Sequence, residues 1–397
     1  MGVEVGGEGW HLSSPAADMA SQVSCWTGAR MAEEVDSRTR KRLLLLPRIR
    51  ILISIYTFEP RGEPDMSQWR AARYRVVEGW EKLPEGYRHL DGVGVSTDAQ
   101  DRVYFITRSD SRVIVYERDG SFVTSWGEGV FTPRTHCIRF GPDGSIYTAD
   151  DGDHTVRKFT PDGKQLMVIG TPGVASDTGH DPSLTALYDR MRSIKRGGPP
   201  FNKPTAVAIA ESGDLYVTDG YGNARVHHFS PTGELIRSWG EPGTGPSQFN
   251  LPHDVVIHPD GRLLVADREN ERIQVFDLDG EFLEQWTDLQ RPAGLAVDGE
   301  GYIYVAENAW RAGERTFRRG IVPEIVQGHV SILDPKGRRV ARLGLPDAEG
   351  PATFWAPHGI CVDSQGDIYV AEVVASHWGK AGGIPTGSHT LQKLERL

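Results

Sequence analysis

The chain is poor in cysteine, with three in 397 residues, at positions 25, 137 and 361. None forms a CxxC pair, so no disulfide framework is expected, and this usage fits a reducing, cytoplasmic compartment. Cys137 and Cys361 read as small buried apolar residues. Long apolar runs are lacking too. The best candidate, "RTRKRLLLLPRIRILISIYTF", is cut by Pro47, Arg48 and Arg50, so it neither spans a bilayer nor forms a clean signal core. It starts at Arg38, too late for a signal peptide. Residues 1–65 are expected to be a disordered leader or an over-extended start, with Met66 as the alternative first residue. There is no excess of basic charge: 44 basic and 54 acidic residues give a net charge of −10. That argues against nucleic acid or an anionic membrane as the main partner.

What the chain has is turns and repetition. Glycine (46) and proline (25) are abundant, and an apolar content of 38% marks a globular chain. From about residue 92 a unit recurs every ~40–50 residues. Each reads as an alternating strand, a "PDG"-type turn, a strand ending "YVAD" or similar, a third strand after "N-x-R", a second Asp-Gly turn, and a fourth strand ending "SWG". Six units are visible: 92–127, 133–170, 201–240, 249–287, 291–344 and 354–397. Four strands per repeat predict an all-β, six-bladed β-propeller over residues 66–397. The last unit lacks its fourth strand, and "RYRVVEGW", residues 73–80, supplies one. Pairing of 73–80 with 389–396 would close the ring and remove exposed edges. Insertions at 171–200, 308–327 and 373–388 interrupt the pattern, and loops of this length are usually functional. The second and third follow the same "YVAE" phrase and are expected on one face. "SLTALYDRMRSIKR" in the first predicts a short helix with a basic end.

His136, His253 and His358 occupy one phase of the repeat in alternate units, each fourteen residues before the acid that closes its segment. Thr205 and Ala293 hold that phase in intervening units. A closed ring would bring the three imidazoles together around its axis. Three neutral nitrogens with an open fourth position are catalytic-type zinc coordination, and another divalent transition metal would also accept them. At the acid phase itself stand Asp150, Asp219, Asp267, Glu307 and Glu372, expected to accept backbone hydrogen bonds, but the first unit has Arg108 there. Arg108 is either a functional break in the pattern or the ion-pair partner of a nearby acid. Tyr221 and Arg268 follow their units' acids, which places them near the axis. A phenol at that place serves as an acid or base where a cation stabilises its anion, and otherwise as an aromatic cap. His154, His227, His228, His258, His329 and His389 fall at other phases and read as surface or packing residues.

The repeats resemble NHL repeats. More specifically, "FNKPTAVAI", "DLYVTDGYGNARVHHFSPTGELIRSWG", "LPHDVVI", "VADRENERIQVF" and "APHGICV" resemble the peptidyl-α-hydroxyglycine α-amidating lyases. The resemblance spans about residues 90–372 and is strongest in the middle. It implies a six-bladed propeller that cleaves a carbinolamide into a carboxamide and glyoxylate. It also implies zinc on His136, His253 and His358, Tyr221 as the base, and Arg108 and Arg268 lining the site. Three departures stand out. The first histidine motif reads "RTHC" where the family has Pro-His. The family's calcium carboxylate after the last histidine is Gly359 here, which argues against calcium. Its half-cystine after the tyrosine is Gly222. The expected partner is a small-molecule or peptide-like substrate. Two other readings stay open: a metal-dependent hydrolase of lactonase type, and a non-catalytic NHL binding scaffold. The oligomeric state is not legible.

Overall fold

A computed structural model describes residues 74–397 apart from 111, 345–352, 380–382 and 386. The expected leader, residues 1–65, lies outside the described residues. The described chain forms six four-stranded antiparallel sheets, five of them hydrogen-bonded in sequence order from an inner to an outer strand and the sixth completed by the first described strand. The inner strands are Gly92–Thr97, Thr135–Phe140, Pro204–Ile209, Pro252–Ile257, Pro292–Val297 and Pro357–Val362, in blades 1 to 6. Each contacts the inner strands of the two neighbouring blades, and blade 6 contacts blade 1, so the ring closes. This is the six-bladed propeller. The outer strand of blade 6 is Tyr74–Val76, paired antiparallel with Leu391–Arg396. It ends short of the predicted residue 80, because the chain leaves the sheet after Val77 and buries Trp80 against blades 1 and 6, and residue 73 lies outside the described residues.

Blades interlock through a tryptophan and a glycine. Trp239 and Trp286 end the outer strands of blades 3 and 4 and pack on the turns Asp279-Gly280 of blade 4 and Lys336-Gly337 of blade 5. At Gly280 and Gly337 the backbone φ is +80° and +76°, and a Cβ would stand 2.8 and 2.2 Å from those indole rings. Glycine is needed there both for the turn and for the close approach.

The acid phase ties each blade's entry to its second strand. Asp150, Asp219 and Asp267 accept the backbone N–H of Thr132, Asn202 and Asn250 at 2.7, 2.7 and 2.9 Å. Glu307 accepts that of Gln290, and Glu372 those of Trp355 and Ala356 at 2.7 and 2.9 Å. In blade 1 the Ser109 hydroxyl takes over, accepting Leu90 N–H at 2.8 Å. The register corrects the expectation for Arg108: Thr107, paired with Gly92 as Asp150 is with Thr135, holds the acid phase of blade 1, and Arg108 stands one residue later, at the phase of Arg268 in blade 4.

Burial pushes the Glu372 carboxyl up to about 7. The folded chain therefore holds a proton that the unfolded chain releases near the ordinary carboxylate value. Its contribution to stability is present in mild acid and lost as pH rises through about 7. Thermal unfolding of the parent protein between pH 5 and 8 should show this decline, and Glu372→Gln should flatten it. An unchanged slope in the variant would reject the assignment.

Candidate metal centre

In all six blades the first hairpin carries a β-bulge one residue into the inner strand. The residues skipped by the register are Val93, His136, Thr205, His253, Ala293 and His358. A bulge leaves its extra residue unpaired and re-aims it. Here it turns three histidines to the axis at the upper rim of the inner strands.

The three imidazole rings stand at equal centroid separations of 4.7 Å. Their candidate ligand atoms all lie within 4.8 Å of one another, and all three residues are buried. Among the described residues this is the only group of three or more histidine, cysteine or acidic side chains so placed. Each Nδ1 donates to the bulge carbonyl of the next blade: His136 to Thr205 at 2.7 Å, His253 to Ala293 at 2.6 Å, and His358 to Val93 at 2.8 Å. The alternate units thus orient the histidines that the other units supply. This bond leaves Nε2 unprotonated and aimed at the centre. Burial, followed by guanidinium or imidazole neighbours, drives all three pKa values well below the ordinary range. His136 Nε2 is buried with no partner. Neutral imidazoles with free Nε2 lone pairs fit a borderline divalent transition metal.

The donor set fits calcium poorly, since calcium takes oxygen ligands. At Gly359 a Cβ would lie 2.8 Å from Gly94 Cα, so the position beside the last histidine has no room for a carboxylate. The corresponding residue of blade 4, Asp254, is bound to Arg139 at 2.6 Å in a buried ion pair. That pair lines a space of only about 10 Å³ next to the triad. On the other side lies a cleft of about 620 Å³. Of the triad His358 lines that cleft, and Tyr221, which also lines it, touches His253.

Tyr221, Arg108 and Arg268 all line the cleft. The Tyr221 hydroxyl lies 3.2 Å from His253 Nε2 and accepts a hydrogen bond from Arg268 Nη1 at 3.1 Å. The guanidiniums of Arg134 and Arg268 sit 5.4 and 5.5 Å from the centre of its ring. Arg268 belongs to a 3₁₀ turn, Arg268–Asn270, directly after the acid of blade 4, and donates to Glu269 at 2.8 Å. Arg108 donates to the Ser376 hydroxyl at 3.0 Å and lies 3.8 Å from Asp91. Its Nε is buried without a partner, and burial beside Arg134 lowers its pKa. Arg108 thus has an acid nearby and also faces the cleft.

Several cleft residues escaped the sequence reading. Arg134 forms a bidentate pair with Asp151 at 2.8 and 2.5 Å. Arg291 donates to Glu269 and Glu314 and lies 4.2 Å from the centre of the Trp310 ring. Both occupy the phase two residues before the bulge, where blade 3 has Lys203. A phase-by-phase reading of basic residues would have found them. His377 lines the cleft from the third insertion, its pKa pushed down to about 2 by burial and by Arg291.

All three insertions meet over the triad. The first contributes the helix Leu187–Ser193, the second residues 308–315, and the third the helix Val374–Trp378. Arg311 of the second donates to His377 O of the third at 3.0 Å. The Tyr188 and Phe317 rings join the first and second at 4.6 Å. The expected shared face holds for the second and third insertions, and the first joins it. Residues 380–382 and 386 of the third lie outside the described set.

Comparison with known proteins agrees with this architecture. The NHL repeat model matches residues 201–229, 249–276 and 354–378. NHL repeat-containing protein 3 of Mus musculus is 32% identical over 333 residues, covering 80% of this chain and 86% of that protein. Peptidyl-alpha-hydroxyglycine alpha-amidating lyase 1 of Drosophila melanogaster is 29% identical over 273 residues, covering 64% of this chain and 45% of that protein. A streptogramin B lyase structure shares the fold, with a TM-score of 0.51 at 14% identity, covering 83% of this chain and 99% of that one.

Proposed function

Since the chain belongs to the family of NHL repeat-containing protein 3, and is related at a distance to amidating lyases, we propose that it is a metal-dependent carbon–nitrogen lyase. Its substrate class is an α-hydroxyglycine-like carbinolamide, R–CO–NH–CH(OH)–COO⁻, and its products are the carboxamide and glyoxylate. The observation that carries this reading is a phenol placed between the buried histidine triad and a guanidinium.

Held by the three Nε2 atoms, a divalent transition metal, zinc foremost, supplies Lewis acidity toward a substrate oxygen. The chain's own residues do the rest. Tyr221, within hydrogen-bond reach of the triad, acts in its phenolate form and takes the proton of the substrate hydroxyl, becoming the phenol. The O–H electrons form the new C=O bond as the C–N bond breaks. The departing nitrogen recovers that proton, so atoms and charge balance without another reactant. Arg268 and Arg134 place positive charge beside the phenol oxygen and ring. Arg108, with its unpaired Nε, faces the substrate carboxylate. The roof built by the three insertions limits water around the reacting atoms.

The lactonase alternative is disfavoured by the all-nitrogen donor set. The scaffold reading leaves a buried, oriented imidazole triad without a purpose. The direct test is incubation of the metal-loaded protein with α-hydroxyhippurate. Glyoxylate and benzamide should appear in equal amounts, and prior treatment with a strong chelator should abolish both. Absence of glyoxylate with a fully metallated protein would overturn the proposal.

A further inference from the structure

The cleft carries more positive charge than its own acids balance. Asp151 is taken by Arg134 through both oxygens. Glu269 is shared by Arg268 and Arg291, and Glu314 by Arg291 and Arg311. Asp91 lies 3.8 Å from Arg108 but is already held by the backbone N–H and hydroxyl of Ser376. Arg190 has no ion pair or side-chain hydrogen bond among the described residues. Its Nε is buried and unpartnered. With Arg315 and the exposed Asp189, which also line the cleft, these are seven guanidiniums facing five carboxylates, before any metal charge is added.

Arg190 is carried by the first insertion, on the helix Leu187–Ser193, and lines the cleft. The charged or phenolic groups that act on it are Tyr221, Arg134, Asp151 and Arg268, and burial lowers its pKa. An unpaired, part-buried guanidinium costs free energy unless an anion completes it. The substrate carboxylate next to the scissile bond faces Arg108. That leaves Arg190 open for a second anion.

We propose that the cleft takes a small dianion, whose second acid group lies on the acyl side and is bound by Arg190. The substrate class is thus an N-acyl-α-hydroxyglycine whose acyl group ends in a carboxylate. This assignment rests on the lyase reading for the position of the scissile bond, but not for the charge count. A bidentate guanidinium–carboxylate pair supplies the recognition. A peptide with a neutral acyl end would leave Arg190 unpaired.

The test uses unreactive analogues, so that binding is read without turnover. Calorimetry on the full-length, metal-loaded protein compares N-succinylglycine with its neutral isostere, N-succinamoylglycine. The diacid should bind at least about tenfold more tightly, a difference of roughly 1.4 kcal/mol. Arg190→Gln should bring the ratio of the two affinities to about one, and Arg190→Lys should keep part of it. A ratio near one in the parent protein, or a ratio unchanged in Arg190→Gln, would overturn the assignment. The lyase reading fails separately, if N-succinyl-α-hydroxyglycine binds but releases no glyoxylate.

Discussion

Tyr221→Phe is expected to lower kcat for glyoxylate release by about 10²–10⁴-fold, the range for loss of a general base. This corresponds to roughly 3–5 kcal/mol of transition-state stabilisation. The substitution removes one oxygen and leaves the ring, so the flanking Arg134 and Arg268 guanidiniums keep their aromatic neighbour. The substrate still meets Arg108, and KM should change much less than kcat. That split separates a base from a packing aromatic, whose loss would act on stability or on KM. Steady-state kinetics with α-hydroxyhippurate checks it. A variant with the parent's kcat would remove Tyr221 from the mechanism and return it to the role of a cap.

The second large effect is expected at the triad. His136→Ala removes one of three nitrogens and leaves the other two in place. It also frees the Thr205 carbonyl, which His136 Nδ1 binds at 2.7 Å. Two ligands hold a divalent ion far more weakly than three, so activity should fall by at least about 10³-fold, several kcal/mol of Lewis-acid stabilisation. Metal affinity, read by competition with a chromogenic chelator, should weaken in parallel. Thermal stability in the presence of chelator should fall only by the cost of the unpaired buried Thr205 carbonyl, about 1–3 kcal/mol. Activity retained in His136→Ala would contradict a metal-centred mechanism.

Much of this was legible because a propeller writes its geometry as a period. Three histidines at one phase of alternate units, read with ring closure, already place three imidazoles around an axis. The acid phase is legible for the same reason: Asp150, Asp219 and Asp267 each face the same entry backbone. The bulge was not legible. It is a register shift of the backbone and needs no particular side chain, since Val93, Thr205 and Ala293 carry it as well as the histidines do. The Nδ1 acceptors were hidden likewise, because every residue offers a carbonyl. The position of Tyr221 near the axis followed from phase and resemblance together, and the structure sets its hydroxyl beside His253. Its bond to Arg268 needed the turn of Arg268–Asn270. The convergence of the three insertions is purely tertiary. Contacts such as Arg311 to His377 O join segments that share no repeat register. The charge balance of the cleft therefore became readable only once its guanidiniums could be paired with their acids one by one.

The central claim is that His136, His253 and His358 form one metal site. Elemental analysis of the purified, dialysed protein and of the His136→Ala variant tests it most directly. The account predicts about one divalent transition-metal ion per chain in the parent and little or none in the variant. No metal at unit stoichiometry in the parent after zinc loading, or equal metal in both proteins, would contradict it.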